Sequence, residues 1–218
     1  MDREAVKEKT RKAYNRVGPD YDNWYWAKAA KKVRADSTRK VINILKSELN
    51  DNPKILDLCC GTGHLVKELS AIGDYTGIDF AESMMEYCSA TYPENRFVLG
   101  DAEKLPFPND NFDAVVCFWS FHHLLYPGKV LDEIKRVLKP NGFVLIMTFK
   151  NVKLNLAAKL GDVVSSAYWG FTTIRYSEKD MQRLIGERFK NIKIEKFPSA
   201  FSLLNTMGIR FLIVQGRK

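Results

Sequence analysis

The feature that most constrains this chain is Lys54-Ile-Leu-Asp-Leu-Cys-Cys-Gly-Thr-Gly-His-Leu65. An apolar run from Ile55 to Leu58 breaks into a small-residue turn at Gly61 and Gly63. It then resumes with Leu65, Val66, Leu69 and Ile72 at helical spacing. This is the pattern of a buried strand, a tight turn and a helix. Glycine in such a turn lets the backbone take a positive φ and lets a ligand lie against the main chain. The first N–H groups of the following helix are then expected to favour an anionic group.

The rest of the chain fits one core. With 218 residues, no second domain is needed. No apolar run approaches the roughly 20 residues of a membrane span. The N-terminal Met-Asp-Arg-Glu-Ala-Val-Lys lacks the apolar centre of a secretion signal, so a cytoplasmic chain is expected. Cys59, Cys60, Cys88 and Cys117 form no Cys-x-x-Cys pair, and His64, His122 and His123 do not have zinc-finger spacing. Buried, reduced thiols are expected, and no metal site.

The net charge of +8 is unevenly spread. Residues 1–50 carry 13 basic and 7 acidic side chains, residues 51–149 carry 8 and 14, and residues 150–218 carry 13 and 5. The two basic ends would suit an acidic small molecule, an anionic membrane surface or nucleic acid, unless they are simply solvated faces.

In order, residues 2–13 read as a charged helix. A stretch with Tyr14, Tyr21, Trp24, Tyr25 and Trp26 follows, too aromatic for a solvated loop. It would serve either as a satellite of the core or as a lid or acceptor lining. Ala27–Leu49 reads as a helix. Strands and helices then alternate: Ile55–Cys59, a helix over 64–72, Tyr75–Asp79, a helix over 82–91, Arg96–Leu99, Ala114–Phe118, a helix over 127–138, and Phe143–Phe149. Near-continuous apolar strands of this kind are buried on both faces, which implies a parallel sheet wrapped by helices. A helix over 152–168 is expected next. Another should run from an N-cap at Ser177 to about Phe189, with Asp180 as its capping-box partner. Strands Ile192–Phe197 and Phe211–Gln215 close the sheet.

Ligands of such sheets bind beyond the carboxyl ends of the strands. Three successive ends carry an acid: Asp57, Asp79 and Asp101. A nucleoside would account for all of them, with Asp79 on two ribose hydroxyls and Asp101 on an exocyclic amine. A dinucleotide is the rival ligand. Its third glycine would fall at Val66, and Asp57 and Asp101 would repel a pyrophosphate. The same two acids would suit a ligand bearing an ammonium and a sulfonium, as S-adenosylmethionine does.

Five segments in order carry a resemblance. They are Asp57-Leu-Cys-Cys-Gly-Thr-Gly63, Gly77-Ile-Asp79, Gly100-Asp-Ala-Glu-Lys-Leu-Pro-Phe107, Asn111-Phe-Asp-Ala-Val-Val116 and Arg136-Val-Leu-Lys-Pro-Asn-Gly142. Together they resemble the class I S-adenosylmethionine-dependent methyltransferases, closest in look to the ubiquinone/menaquinone-biosynthesis type. The resemblance is good over 54–149 and looser around Tyr14 and Tyr21-Asp22. Cys59 stands where the family usually has the first glycine of Asp-x-Gly-x-Gly.

The resemblance implies a single-domain Rossmann-like fold, with a mostly parallel seven-stranded sheet and helices on both faces. It also implies an N-terminal helical lid or substrate-side segment over 1–53 and a cofactor-binding domain over 54–218. The roles it implies begin at the turn, where Gly61 and Gly63, with Cys59, pass under the methionine moiety and Asp57 organises its ammonium. Asp79 holds the ribose. Phe80 and Met84 sandwich the adenine, and Asp101 with Ala102 reads its amine edge. Phe118 closes the other side and Tyr21 covers the cofactor. Met84 and Phe118 would equally serve as plain core, and Asp79 as a helix cap.

Methyl transfer to a reluctant acceptor needs a base, and His122 and His123 follow the fourth strand, where the methyl group should sit. One of them is expected to accept or steer a proton. The alternative is that one packs under the loop and the other faces solvent. Aromatic clusters at Tyr21–Trp26, Phe118–Phe121 and Tyr168-Trp169-Gly170-Phe171 favour a small apolar or aromatic acceptor: quinone-like, phenolic or lipid. An RNA methyltransferase would show steep salt dependence of RNA binding, and no nucleic acid is expected as partner. A non-catalytic partner subunit would bind the nucleoside without turnover.

Overall fold

In a computed structural model of the chain, residues 3–23, 25–151, 173–197 and 210–218 are described. The expected helix over 152–168, the Tyr168–Phe171 cluster, Trp24 and the side chains of Tyr25 and Trp26 lie outside them. The described elements are α1 (Arg3–Val17), a 3-10 turn (Gly18–Asn23), α2 (Tyr25–Glu48), β1 (Lys54–Leu58), α3 (Val66–Ser70), β2 (Asp74–Asp79), α4 (Glu82–Thr91), β3 (Arg96–Leu99) and β4 (Phe112–Phe118). A short 3-10 turn (Phe121–His123), α5 (Pro127–Val137), β5 (Leu138–Phe149), α6 (Glu178–Gly186), β6 (Lys190–Phe197) and β7 (Phe211–Arg217) complete them.

The strands form one seven-stranded sheet in the order β3-β2-β1-β4-β5-β7-β6. β1 to β5 are parallel, and β7 runs antiparallel between β5 and β6. Alternate strand residues divide between two cores, as the period of two requires. Leu56, Leu58, Val115, Cys117, Val144 and Ile146 pack under α5 and α6 through Val130, Leu131, Ile134, Met181 and Ile185. Ile55, Ala114, Val116, Leu145 and Met147 face α2 and α3 through Val41, Leu45, Val66 and Leu69. This double burial is why the strands read as continuous apolar runs.

Several boundaries shift. α3 spans five residues, because the turn before it makes its own hydrogen bonds: Gly63 N–H to the Cys60 carbonyl (3.0 Å) and Val66 N–H to the Gly63 carbonyl (3.1 Å). The expected anion site at that helix start is therefore not built: the helix is short and its first N–H closes the turn. β5 begins at Leu138, whose pairing with Phe112 is separated by an irregularity from the regular ladder that starts at Ala114 and Phe143. The capping box at Ser177 is complete. Its hydroxyl accepts from Asp180 N–H (3.1 Å), and the Asp180 carboxylate accepts from Ser177 N–H (2.8 Å).

α1 and the 3-10 turn lie against the carboxyl ends of the strands. Lys7 pairs with Asp101 and Glu103 just after β3, and Asn15 Oδ1 accepts from Ser83 N–H (3.2 Å) at the start of α4. Asp22 bridges Arg34 of α2 (2.9 Å) and the Thr62 hydroxyl in the glycine turn (2.8 Å). Three polar clasps thus tie the N-terminal segment to the strand-end ledge.

Candidate active site

Parallel pairing brings the ends of β1, β2 and β3 side by side, with Asp57 beside Gly77 and Asp79 beside Leu99. Between the first two ends runs the turn Cys59–Gly63. Gly61 has φ +54, and a Cβ built on it would meet nothing within 4 Å. The main chain there borders open space. Gly63 has φ +78, and its Cβ would come within 2.8 Å of Val66 and 3.0 Å of Tyr92. The first glycine therefore keeps a surface clear, and the second permits a tight turn.

Cys59 also adopts a left-handed backbone, φ +59, a region that glycine occupies without strain. A β-branched side chain is the worst occupant of that region. Cys59→Val is expected to be less stable than Cys59→Gly by about 1–2 kcal/mol in urea unfolding. Equal midpoints would show that this backbone conformation imposes no such constraint. All four cysteines are free thiols, with Cys60, Cys88 and Cys117 buried.

Two carboxylates floor the site. Asp57 is 2% exposed, and the Tyr75 hydroxyl donates to it (3.1 Å). Burial raises its pKa to about 7; the Tyr75 bond opposes the shift and the Asp79 charge adds to it. Asp79 is likewise buried and its pKa raised by desolvation, against which main-chain N–H groups work. Its Oδ1 accepts from Ala81 N–H and its Oδ2 from Gly61 N–H, both at 3.0 Å. Asp79 thus holds the glycine turn and the entry to α4 together. Among the described residues neither carboxylate is paired with a lysine or arginine. Uncompensated buried acids beside open main chain suit a cationic nucleoside and oppose an anionic one. S-adenosylmethionine fits this donor set.

Asp101 lies at the third strand end. Its Oδ1 accepts from Glu103 N–H (2.9 Å), and its Oδ2 takes Lys7. Burial works against the Lys7 charge, yet the two carboxylates outweigh it and raise the Lys7 pKa. Phe80 is partly buried against Tyr14, with ring centroids 6.4 Å apart. Tyr21 is 37% exposed as a residue, yet desolvation of its hydroxyl end raises the phenol. Phe118 is 7% exposed and stacks on His64, with ring centroids 5.8 Å apart and planes at 7°. Met84 and Ala102 sit within the packed core. Met84 joins Val17, Cys60, Ala81, Met85 and Cys88, and Ala102 joins the cluster under α5.

His122 is 3% exposed, with its ring 4.2 Å from Phe149 and 4.1 Å from His123. Burial holds its pKa well below 6.5, with His123 and Arg175 adding to the effect, so the imidazole is neutral. Its Nδ1 is buried without a hydrogen-bond partner among the described residues, which by itself disfavours the fold by roughly 1–3 kcal/mol. The His123 ring lies 6.2 Å from Tyr14. The aromatic run after β4 splits: Trp119 packs on Phe211 (4.7 Å) and donates to Ser37 (3.3 Å), and Phe121 is fully buried against Tyr176 (5.5 Å). Two of its rings therefore belong to the core and not to an acceptor lining.

Sequence reasoning named Tyr14 only as part of an aromatic stretch, and it missed the Tyr75 donor to Asp57, Lys7 on Asp101, and the Asp22 bridge. Tyr75 is in part legible: it stands two residues before Gly77, on the strand next to Asp57. The other contacts join residues far apart in the chain and leave no local signal.

The model of the methyltransferase domain matches residues 56–146, from β1 into β5. Demethylmenaquinone methyltransferase of Staphylococcus aureus (strain MRSA252) is 32% identical over 155 residues, 67% of this chain and 62% of that protein. The chain thus spans under two thirds of the length of the curated relatives it matches. The YcgJ protein of Bacillus subtilis superposes with a TM-score of 0.69 at 20% identity, over 84% of this chain and 98% of that one. A phosphoethanolamine N-methyltransferase from Haemonchus contortus, solved with S-adenosylhomocysteine, superposes with a TM-score of 0.67 at 16% identity, over 84% of this chain and 53% of that one. These two likenesses bear on the fold. With the matched domain, the related sequence and the strand-end acids in agreement, the chain belongs to the class I S-adenosylmethionine-dependent methyltransferases.

Proposed function

We propose that the protein transfers the methyl group of S-adenosylmethionine to a small apolar or aromatic acceptor of quinone-like, phenolic or lipid character. The observation that carries the reading is the open main chain at Gly61, flanked by the buried carboxylates of Asp57 and Asp79, neither of which meets a lysine or arginine among the described residues. The acceptor class draws on the likeness to the demethylmenaquinone methyltransferases and on the rings of Tyr14, Tyr21 and Phe80.

S-adenosylmethionine, when bound, supplies a methyl group already activated on a sulfonium. The chain's own residues position and shield. Gly61 and Gly63, with Cys59, form the surface for the methionine moiety, Asp57 takes its ammonium, and Asp79 takes the ribose. Phe80 flanks the adenine with the buried Met84 packed behind it, Asp101 beside the buried Ala102 meets its amine edge, and Phe118 and Tyr21 close the site. Residues 1–53 act as a lid on the acceptor side, and α1 excludes water from the strand ends. The basic N-terminal and C-terminal segments would suit an anionic membrane surface as a peripheral contact. No helix among the described residues is long and apolar enough to cross a membrane.

His122 and His123 accept or steer the acceptor proton in this reading; His122, held neutral by burial, has a free lone pair to do so. Replacing either with alanine is expected to slow methyl transfer from the preformed complex by about 100-fold for the one that acts. An unchanged rate for both removes them from the mechanism. The function itself is tested by titrating the protein with S-adenosylmethionine in a calorimeter, then presenting a panel of acceptors. No heat overturns the cofactor, and turnover with small polar amines alone overturns the acceptor class.

A further inference from the structure

Tyr14 sits where the N-terminal segment meets the strand ends. Its ring lies 6.0 Å from Tyr21, 6.4 Å from Phe80 and 6.2 Å from His123. It thus links the end of β2, through Phe80, with the turn after β4, through His123. Burial of its hydroxyl pushes the phenol well above 10, and the nearby Tyr21, Asp79 and Cys59 push the same way. Tyr14 is partly buried in this position, bordered by rings from both strand ends. Its placement is fixed from both sides along α1: by Lys7 on Asp101 and Glu103, and by Asn15 on Ser83 N–H. Ala13 and Val17 on either side are buried.

A sulfonium entering this enclosure loses water and needs compensation. The floor carboxylates are assigned to the ammonium and ribose ends in the reading above. A carboxylate against the sulfonium itself would also be a competing nucleophile toward the methyl group. An aromatic face offers attraction to a cation without that liability. The attraction vanishes when the sulfonium becomes a neutral thioether. We propose that Tyr14 is a specificity-determining residue whose ring face distinguishes the charged sulfonium nucleoside from its demethylated, neutral product. This inference rests on the function proposed above.

The test is calorimetric titration of wild type, Tyr14→Phe and Tyr14→Leu with S-adenosylmethionine and, separately, S-adenosylhomocysteine at fixed ionic strength. Tyr14→Phe should keep the wild-type ratio of the two affinities. Tyr14→Leu should weaken the sulfonium ligand about fivefold or more and the thioether less than twofold. If Tyr14→Leu does not fold, pentafluorophenylalanine at position 14 keeps the ring's size and inverts its electrostatic face, and it should give the same selective loss. Equal losses for both ligands would overturn the role of Tyr14 and leave the proposed function standing. A wild-type protein that binds neither ligand would overturn both.

Discussion

Asp79→Ala is expected to abolish measurable nucleoside binding and to destabilise the fold by about 2–4 kcal/mol. The two effects share a cause. The carboxylate accepts from Gly61 and Ala81 N–H groups, and alanine leaves the buried Ala81 donor and the part-buried Gly61 donor without it. Each orphaned donor is worth roughly 1–3 kcal/mol. Freed of Asp79, the glycine turn loses one of its ties to β2 and keeps the bond from Cys60 N–H to the Ile78 carbonyl (3.1 Å), so the surface at Gly61 is less preorganised. Loss of two charge-assisted ribose bonds adds about 100-fold in affinity. Urea unfolding and calorimetry of the same variant separate the contributions. A variant with the wild-type midpoint and full affinity would show that the carboxylate neither braces the turn nor meets the ligand.

The second large effect is a pH dependence located at Asp57. Its folded pKa is raised from 3.8 to about 7, so the folded chain keeps a proton that the unfolded chain releases. The resulting stabilisation is fully present below about pH 4 and is lost as pH rises through about 7. About three pKa units correspond to about 4 kcal/mol. Asp57→Asn cannot ionise and keeps an acceptor for the Tyr75 hydroxyl. It should match wild type in stability near pH 4 and exceed it by up to about 4 kcal/mol near pH 8. The comparison is made as a difference because other groups titrate as well. Asp79 slopes in the same sense, whereas His122 and His64, held neutral by burial, lose stability as pH falls through 6.5. A difference that stays flat from pH 4 to 8 would mean that Asp57 is ionised throughout. Binding a ligand ammonium should expel the Asp57 proton near neutrality. That release is measurable as a dependence of binding heat on the ionisation enthalpy of the buffer.

The framework was legible because its signals are local. Strands buried on both faces are apolar without alternation, and each parallel strand delivers its last residues to the same edge. Asp57, Asp79 and Asp101 could therefore be brought together from position alone. The limits have physical reasons too. Leu65, Val66, Leu69 and Ile72 keep helical spacing, but the turn's internal hydrogen bonds delay the helix, and Gly73 N–H closes onto the Leu69 carbonyl (3.1 Å). Periodicity reports which side is apolar, not which donors are already spent. Met84 and Ala102, which the resemblance picks out, pack into the core, because motif spacing fixes a residue's place along the chain and leaves its side-chain direction open. The Lys7–Asp101 pair joins residues 94 positions apart and leaves no trace in either neighbourhood.

The late antiparallel strand has a consequence for how the molecule is made. β7 fills the slot between β5 and β6, pairing Phe143–Phe149 with Arg217–Phe211 on one side and reaching Lys190–Phe197 on the other. Its residues leave the ribosome after both of the strands they join. Until then the nascent chain carries two bare edges, one of them the apolar margin of β5, open to pairing with any neighbouring polypeptide. Chaperone dependence of this chain should therefore be concentrated between the emergence of β5 and that of β7, while the sheet still lacks the strand that joins its two parts.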